Sequence, residues 1–262
     1  MRRISHLWHL LSLDAPAVAA LWTYFIARTT HVPLPVLAPV AMALAVWMLY
    51  ACDRILDAQR PGQLEARHHF HAQHRTGFLI GIAIAAIALA CILPTLSFAA
   101  LRIYSALGIL LAAYFVLIHA TRTGPRLPKE LAVGFFFSAA VFIPTIARAP
   151  QLRLALLPFA LHLALVCWLN CIAIYAWENG AATQAHSTTL WAVAHIQSLG
   201  AFAIALGIAL IGSTSHNLSL AAALSAAILL VLHRNQHRLS RLNLRVLADA
   251  ALLTPLLFLP FA

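Results

Sequence analysis

Nine apolar runs divide this chain, at about residues 12–28, 34–52, 77–93, 97–118, 131–147, 154–177, 188–212, 217–233 and 246–261. A run of this length that meets lipid has no water for its backbone N–H and C=O groups. A helix, which closes those bonds within one segment, is the conformation open to a single run. Several runs fall short of the roughly 20 residues a straight crossing needs, so neighbouring polar turns are expected to extend them. Turn chemistry supports the divisions: Pro33 and Pro35, Leu93-Pro94, Gly124-Pro125, Ala149-Pro150 and Gly212-Ser213 each fall at a boundary. Composition agrees, since 63% of the residues are hydrophobic and 9% charged, against roughly 25% charged in a soluble domain. The expected fold is all-α: one polytopic membrane helix bundle over residues 1–262, with nine transmembrane helices. Two pseudo-repeats, about 1–120 and 121–262, are expected within it.

The formal net charge is +10, but the cations sit in short loops between apolar runs. This patterning indicates membrane orientation and anionic head groups rather than nucleic acid. With the N-terminus in the cytoplasm, one side holds thirteen of the seventeen cations, from Arg2 and Arg3 through the loops at 53–76 and 122–129 to Arg234–Arg245. Arg28, Arg102, Arg148 and Arg153 fall on the other side. The asymmetry predicts a cytoplasmic N-terminus, with an eight-span count as the alternative. No small-residue cleavage site follows the first run, which is expected to stay as the first span. Cys52, Cys91, Cys167 and Cys171 lie in or beside apolar runs without a CxxC pair and are expected to be reduced.

Four constellations stand at the cytoplasmic ends of the runs. The first is Asp53-Arg54-Ile55-Leu56-Asp57. Its carboxylates are four residues apart, on one helix face, and near lipid their repulsion calls for a cation between them. Mg²⁺ suits one or two carboxylates completed by phosphate oxygens and water. Helix-end carboxylates bridged to Arg54 or Arg60 explain the same spacing. The second runs from Asn170, an amide within an apolar run, past Tyr175 to Glu178. The bland explanation is an interhelical hydrogen bond from Asn170, with Glu178 merely ending the span. The third, Arg122 to Glu130, contains Arg126 and Lys129, the single lysine of the chain and a candidate point charge for phosphate. The fourth, Glu65 to Arg75, places Arg67, His71, His74 and Arg75 along one side of a helix. It reads as a basic surface over an anionic substrate or as a plain interfacial helix, and it lacks the ligands of a zinc site. His119, His162 and His195 lie singly in the runs or at their ends and are expected to be structural.

This arrangement resembles the UbiA superfamily of intramembrane prenyltransferases. That family has nine helices, a cytoplasmic N-terminus and Asp-rich motifs after the second and sixth helices. Asp53-Arg54-Ile55-Leu56-Asp57 matches the second half of its first motif, N-D-x-x-D-x-x-x-D. Asn170, Ile174 and Glu178 fall in the register of the second, and Lys129 stands in the loop where the family places a basic residue on the diphosphate. Leu49 and Tyr50 replace the leading Asn and Asp, and Ile174 replaces a middle Asp.

The resemblance implies Mg²⁺-dependent transfer of a prenyl group from a polyprenyl diphosphate to a lipophilic acceptor, in a multi-pass protein of the bacterial inner membrane. Asp53, Asp57, Asn170 and Glu178 would be the catalytic and metal-binding residues. Arg54, Lys129, Arg67, His71, Arg126 and Tyr175 would meet the substrate. The apolar tail is expected against Phe135, Phe136, Phe137 and Trp168. Two other functions stay open: cyclisation of the isoprenoid without an acceptor, and non-catalytic binding or carriage of an isoprenoid or anionic lipid. A transporter is disfavoured, because transporters place their ionisable residues near the midplane.

Overall fold

The computed structural model describes residues 8, 10–57, 70, 73–120, 127–179, 185–212 and 215–262. Among these there are helices and turns and no strand. The principal helices are α1 (Asp14–Thr29), α2 (Leu37–Asp57), α3 (Arg75–Ile92), α4 (Phe98–Ala120), α5 (Lys129–Arg148) and α6 (Arg153–Asn179). They are followed by α7 (Ser187–Ala194), α8 (Ile196–Ala209), α9 (His216–Arg234), α10 (Arg241–Ala251) and α11 (Pro255–Phe258). Seven stretches are long and apolar enough to cross a membrane, one of them running from α10 through α11 to Phe261. The α7–α8 pair, bent by 78° at His195, makes eight if counted as one span. The first run is the 16-residue α1. At 1.5 Å per residue it is about 24 Å long, short of the roughly 30 Å hydrocarbon core. These are the helices of an integral, multi-pass membrane protein.

α1 lies in the interior nonetheless. Trp22, Phe25 and Ile26 are almost wholly buried, and α1 packs on α2, α5, α9, α10 and α11. α6 is the other central helix, with Leu163, Val166, Leu169 and Ile172 in the same core. α3 and α4 are peripheral. Ile80, Ile84 and Ile87 on α3, with Ile109, Leu110 and Val116 on α4, face outward. In water such a surface would be a liability; against lipid it is the expected boundary.

Lipid tails are as apolar as leucine, so helices associate in a membrane through close packing and hydrogen bonds. The α5–α6 contact uses both. A Cβ added at Gly134 would stand 2.7 Å from the Ala164 carbonyl oxygen and 2.9 Å from the Trp168 backbone nitrogen. Only glycine lets the two backbones approach so closely. One turn on, the Ser138 hydroxyl donates to the Ala160 carbonyl at 2.6 Å. Gly134 and Ser138 thus form a small-xxx-small pair. Pro144, inside α5, has no N–H and so leaves the Ala140 carbonyl without its helical donor. The Tyr104 hydroxyl of α4 donates to that carbonyl at 3.1 Å.

Breaks elsewhere are bonded too. The Leu252 carbonyl, just before Pro255, accepts from Trp22 Nε1 at 2.9 Å. Thr254 donates to the Ala221 carbonyl at 2.8 Å and lies 2.7 Å from the Ser225 hydroxyl. His162 is wholly buried and bonds the Ala203 carbonyl through Nε2 at 2.8 Å, a structural role. All four cysteines are free thiols.

Gly134→Ala is therefore expected to destabilise the purified protein by the roughly 1–3 kcal/mol typical of overpacking, with a lower thermal midpoint. Tyr104→Phe should cost about 1 kcal/mol, the usual worth of one intramolecular hydrogen bond. Unfolding midpoints in one detergent, compared with wild type, check both.

Candidate functional site: a charged mouth over an apolar throat

One cavity of about 440 Å³ opens where six helices meet. They contribute the N-terminal ends of α1 and α5, the C-terminal ends of α2, α4 and α6, and the short α10 through Arg245 and Asp249. Six of the chain's seven acidic residues line it: Asp14, Asp53, Asp57, Glu130, Glu178 and Asp249. Three of the seventeen cations do so among the described residues: Arg54, Lys129 and Arg245. Orientation by basic loops explains cations spread over one side. It does not explain acids drawn into one cavity, where each is costly to hold near lipid.

The mouth is cross-linked between helices. Lys129 Nζ at the start of α5 lies 3.8 Å from Asp53 Oδ1 near the end of α2. Arg245 of α10 pairs with Glu178 at the end of α6. Thr189 of α7 donates to Glu130 Oε2 at 2.6 Å. Asn170 Nδ2 lies 3.4 Å from Asp249 Oδ1, a long hydrogen bond between α6 and α10. The Asn170 side chain is buried, 6% exposed, and its Oδ1 has no hydrogen-bond partner among the described residues. The Arg54 guanidinium stands 6.0 Å from the centre of the Tyr50 ring, at the outer limit of a cation–π contact.

Below the mouth the lining is mostly apolar, with Tyr50 of α2 and Tyr114 of α4 its polar members. Leu107, Leu111, Phe115 and Ile118 form one stripe of α4, and Val133, Phe136, Phe137 and Ala140 form the facing stripe of α5. Their three- and four-residue spacing puts each set on one helix face. Val46 and Leu49 of α2 close the third side.

The residues singled out from the sequence meet the cavity unequally. Asp53, Arg54, Asp57, Lys129, Asn170, Tyr175 and Glu178 all line it. Arg67, His71 and Arg126 lie outside the described residues, as does most of the loop at 53–76. Phe136 and Phe137 line the throat, whereas Phe135 points away from it and is 50% exposed. Trp168 is not among the lining residues and packs where α5 and α6 touch, its backbone nitrogen and Cβ beside Gly134. Asn170 makes the interhelical hydrogen bond that its bland explanation anticipated, whereas Glu178, expected under that explanation merely to end the span, also makes an interhelical ion pair. Sequence reasoning missed Asp14, Asp249 and Arg245. A signal for the first two was present: each is an acid inside an apolar run, which lipid tolerates only at a cost.

Hard carboxylate oxygens on successive turns of α2 fit Mg²⁺ by donor chemistry. Among the described residues no three His, Cys, Asp or Glu side chains converge as a ready-made metal site. An ion here would therefore draw most of its ligands from phosphate and water, as Mg²⁺ commonly does. No family model, curated protein or solved structure matches the chain.

A double-mutant cycle on Glu178→Gln and Arg245→Met should return a coupling of about 1–3 kcal/mol, the range for hydrogen bonds to charged groups. Thermal or denaturant midpoints of the four proteins measure it. Additive single effects would mean that the pair contributes nothing.

Proposed function

We propose that this protein transfers a prenyl group from a prenyl diphosphate to a lipophilic acceptor, in a Mg²⁺-dependent reaction within the membrane. The observation that carries this reading is the amphipathic cavity, with its charged mouth continuous with an apolar throat. Such a shape suits a ligand with a polyanionic head and a hydrocarbon tail. Six carboxylates less three cations leave a formal excess of three negative charges in the mouth. A bare diphosphate would be repelled there, so cations must enter with it.

Asp53 and Asp57 are the residues that would hold Mg²⁺. The ion would supply neutralisation of the diphosphate and stabilisation of the leaving pyrophosphate. Lys129, Arg54 and Arg245 would carry part of the same charge from fixed positions. The bond between the donor's first carbon and the diphosphate oxygen breaks, and a bond from that carbon to the acceptor forms. The proton displaced from the acceptor goes to a mouth carboxylate, with Glu178 and Asp249 as candidates. Asn170 and Glu178 already engage Asp249 and Arg245, so a second ion at these two would have to displace both contacts. The protein would span a bacterial inner membrane nine times, with its N-terminus and the mouth on the cytoplasmic side.

A second reading has its own support. Asp53, Glu130, Glu178 and Asp249 are each already engaged by a protein group. That favours a non-catalytic binder of an isoprenoid or anionic lipid. A lipid retained through purification, with no turnover, would identify it.

Purified full-length protein in lipid nanodiscs, given Mg²⁺, labelled isoprenoid diphosphates and a membrane lipid extract, should release pyrophosphate. Asp57→Asn should reduce the rate by about a hundredfold or more, the scale of losing one electrostatic group. Release that ignores Mg²⁺, or full activity in Asp57→Asn, sinks the proposal. Orientation has a separate check. In a cysteine-free background, Gln63→Cys should label from the cytoplasmic side and Gln151→Cys from the opposite side.

A further inference from the structure

The throat has a measurable depth and a closed lower end. On α2 the lining runs from Asp57 down to Val46, on α4 from Ile118 down to Leu107, and on α5 from Lys129 down to Ala140. Each interval is eleven residues, about 16 Å at the helical rise. The three walls are therefore of equal length.

The residues that follow along these walls are packed. Met42, one turn under Val46, is buried, as are Ile143 and Pro144, three and four residues past Ala140 on its face. On α4, Tyr104 stands three residues below Leu107, and its hydroxyl bonds the Ala140 carbonyl at 3.1 Å. That bond ties α4 to α5 directly beneath the deepest lining residues. It exists because Pro144 leaves the Ala140 carbonyl without a helical donor. The floor is a built feature of the fold.

The upper part of this depth belongs to the head group. On α5 the lining changes from Lys129 and Glu130 to apolar residues at Val133. From Val133 to Ala140 the rise is about 10 Å, and on α4, from Phe115 to Leu107 below the mouth, it is about 12 Å. An extended isoprene unit contributes four C–C bonds of about 1.5 Å, which project to roughly 5 Å along a zigzag. The apolar throat therefore accommodates two to three units.

We infer that the cavity selects a short-chain prenyl diphosphate, of ten to fifteen carbons, and that Leu107, Ala140 and the Tyr104–Ala140 bond set the limit. This rests on the reading of the cavity as a prenyl diphosphate site. Within that reading it excludes the long polyprenyl donors that the sequence resemblance left open. Each added unit gains apolar burial until the floor is reached; beyond it, a longer tail must coil or leave the throat.

The test is equilibrium binding of radiolabelled C5, C10, C15, C20 and C40 isoprenoid diphosphates, with Mg²⁺, to the full-length protein in nanodiscs. Turnover is not needed. Affinity should rise at least tenfold from C5 to C15 and then fall, C40 binding at least tenfold more weakly than C15. Ala140→Leu, which fills the floor, should move the optimum down to C10 or C5. Leu107→Ala, which deepens the throat, should raise C20 affinity by about tenfold relative to C15. A folding defect in one variant leaves the wild-type profile and the other variant to decide. Binding that is equal at all lengths, or still rising at C40, overturns the length limit and leaves the site reading standing. No binding at any length overturns the site reading, and the length limit falls with it. Unchanged optima in both folded variants overturn the assignment of the floor.

Discussion

In hydrocarbon no water completes a broken helix, and this fold breaks several. Pro144 interrupts α5, and Pro255 follows the break between α10 and α11. The Ala140 carbonyl that Pro144 exposes is met by Tyr104, and the Leu252 carbonyl left by the second break is met by Trp22; Thr254 anchors the second break to α9. An unmet carbonyl would cost several kcal/mol in this setting. These bonds do more than compensate. Each runs to another helix, so the irregularities of single helices fix helix-to-helix positions. The cavity floor is one result. The placement of α10, which carries Arg245 and Asp249 into the mouth, depends on the other.

Close backbone contact between α5 and α6 complements this. Gly134 brings the helices together where α5 turns Phe136 and Phe137 toward the throat and Phe135 outward. The same contact sets Lys129 and Glu130, one turn above, on the mouth shared with Asn170, Tyr175 and Glu178. A larger residue at 134 would push the charged and apolar walls apart together, so packing and site geometry cannot be varied independently here.

Much of this was legible in the sequence, for definite reasons. Apolar run length gave the helices, because lipid leaves the backbone few alternatives. Asp53 and Asp57 announced a shared face by their spacing, and Lys129 stood out as the single lysine. Tertiary placement was the harder part. Asp14 is about 235 residues from Asp249 in the chain, and periodicity within each run gives no hint that they meet one cavity. Arg245 read as an orientation charge because its loop is basic; its pairing with Glu178 needed the fold. Phe135, Phe136 and Phe137 are consecutive, so all three cannot face one side of a helix. Which of them faces inward followed only from the α5–α6 contact. Run lengths also concealed that α1 is an interior helix of 16 residues and that the seventh run bends at His195.

The mouth's internal pairing constrains what can bind there. Lys129 with Asp53 and Arg245 with Glu178 hold opposite charges together at rest. A purely anionic ligand would draw Lys129 and Arg245 away and strand their carboxylates in a poorly solvated cavity. A purely cationic ligand would strand the basic residues. Leaving a partly buried charge unpaired costs several kcal/mol, which either ligand would have to supply. A diphosphate that enters with a divalent cation gives both halves of each pair a new partner, phosphate oxygens for the bases and metal for the acids. The mouth's acidic excess is then an asset, because it offsets the charge of the incoming ion. This exchange of partners supports a diphosphate entering with its cation over either single-charge ligand.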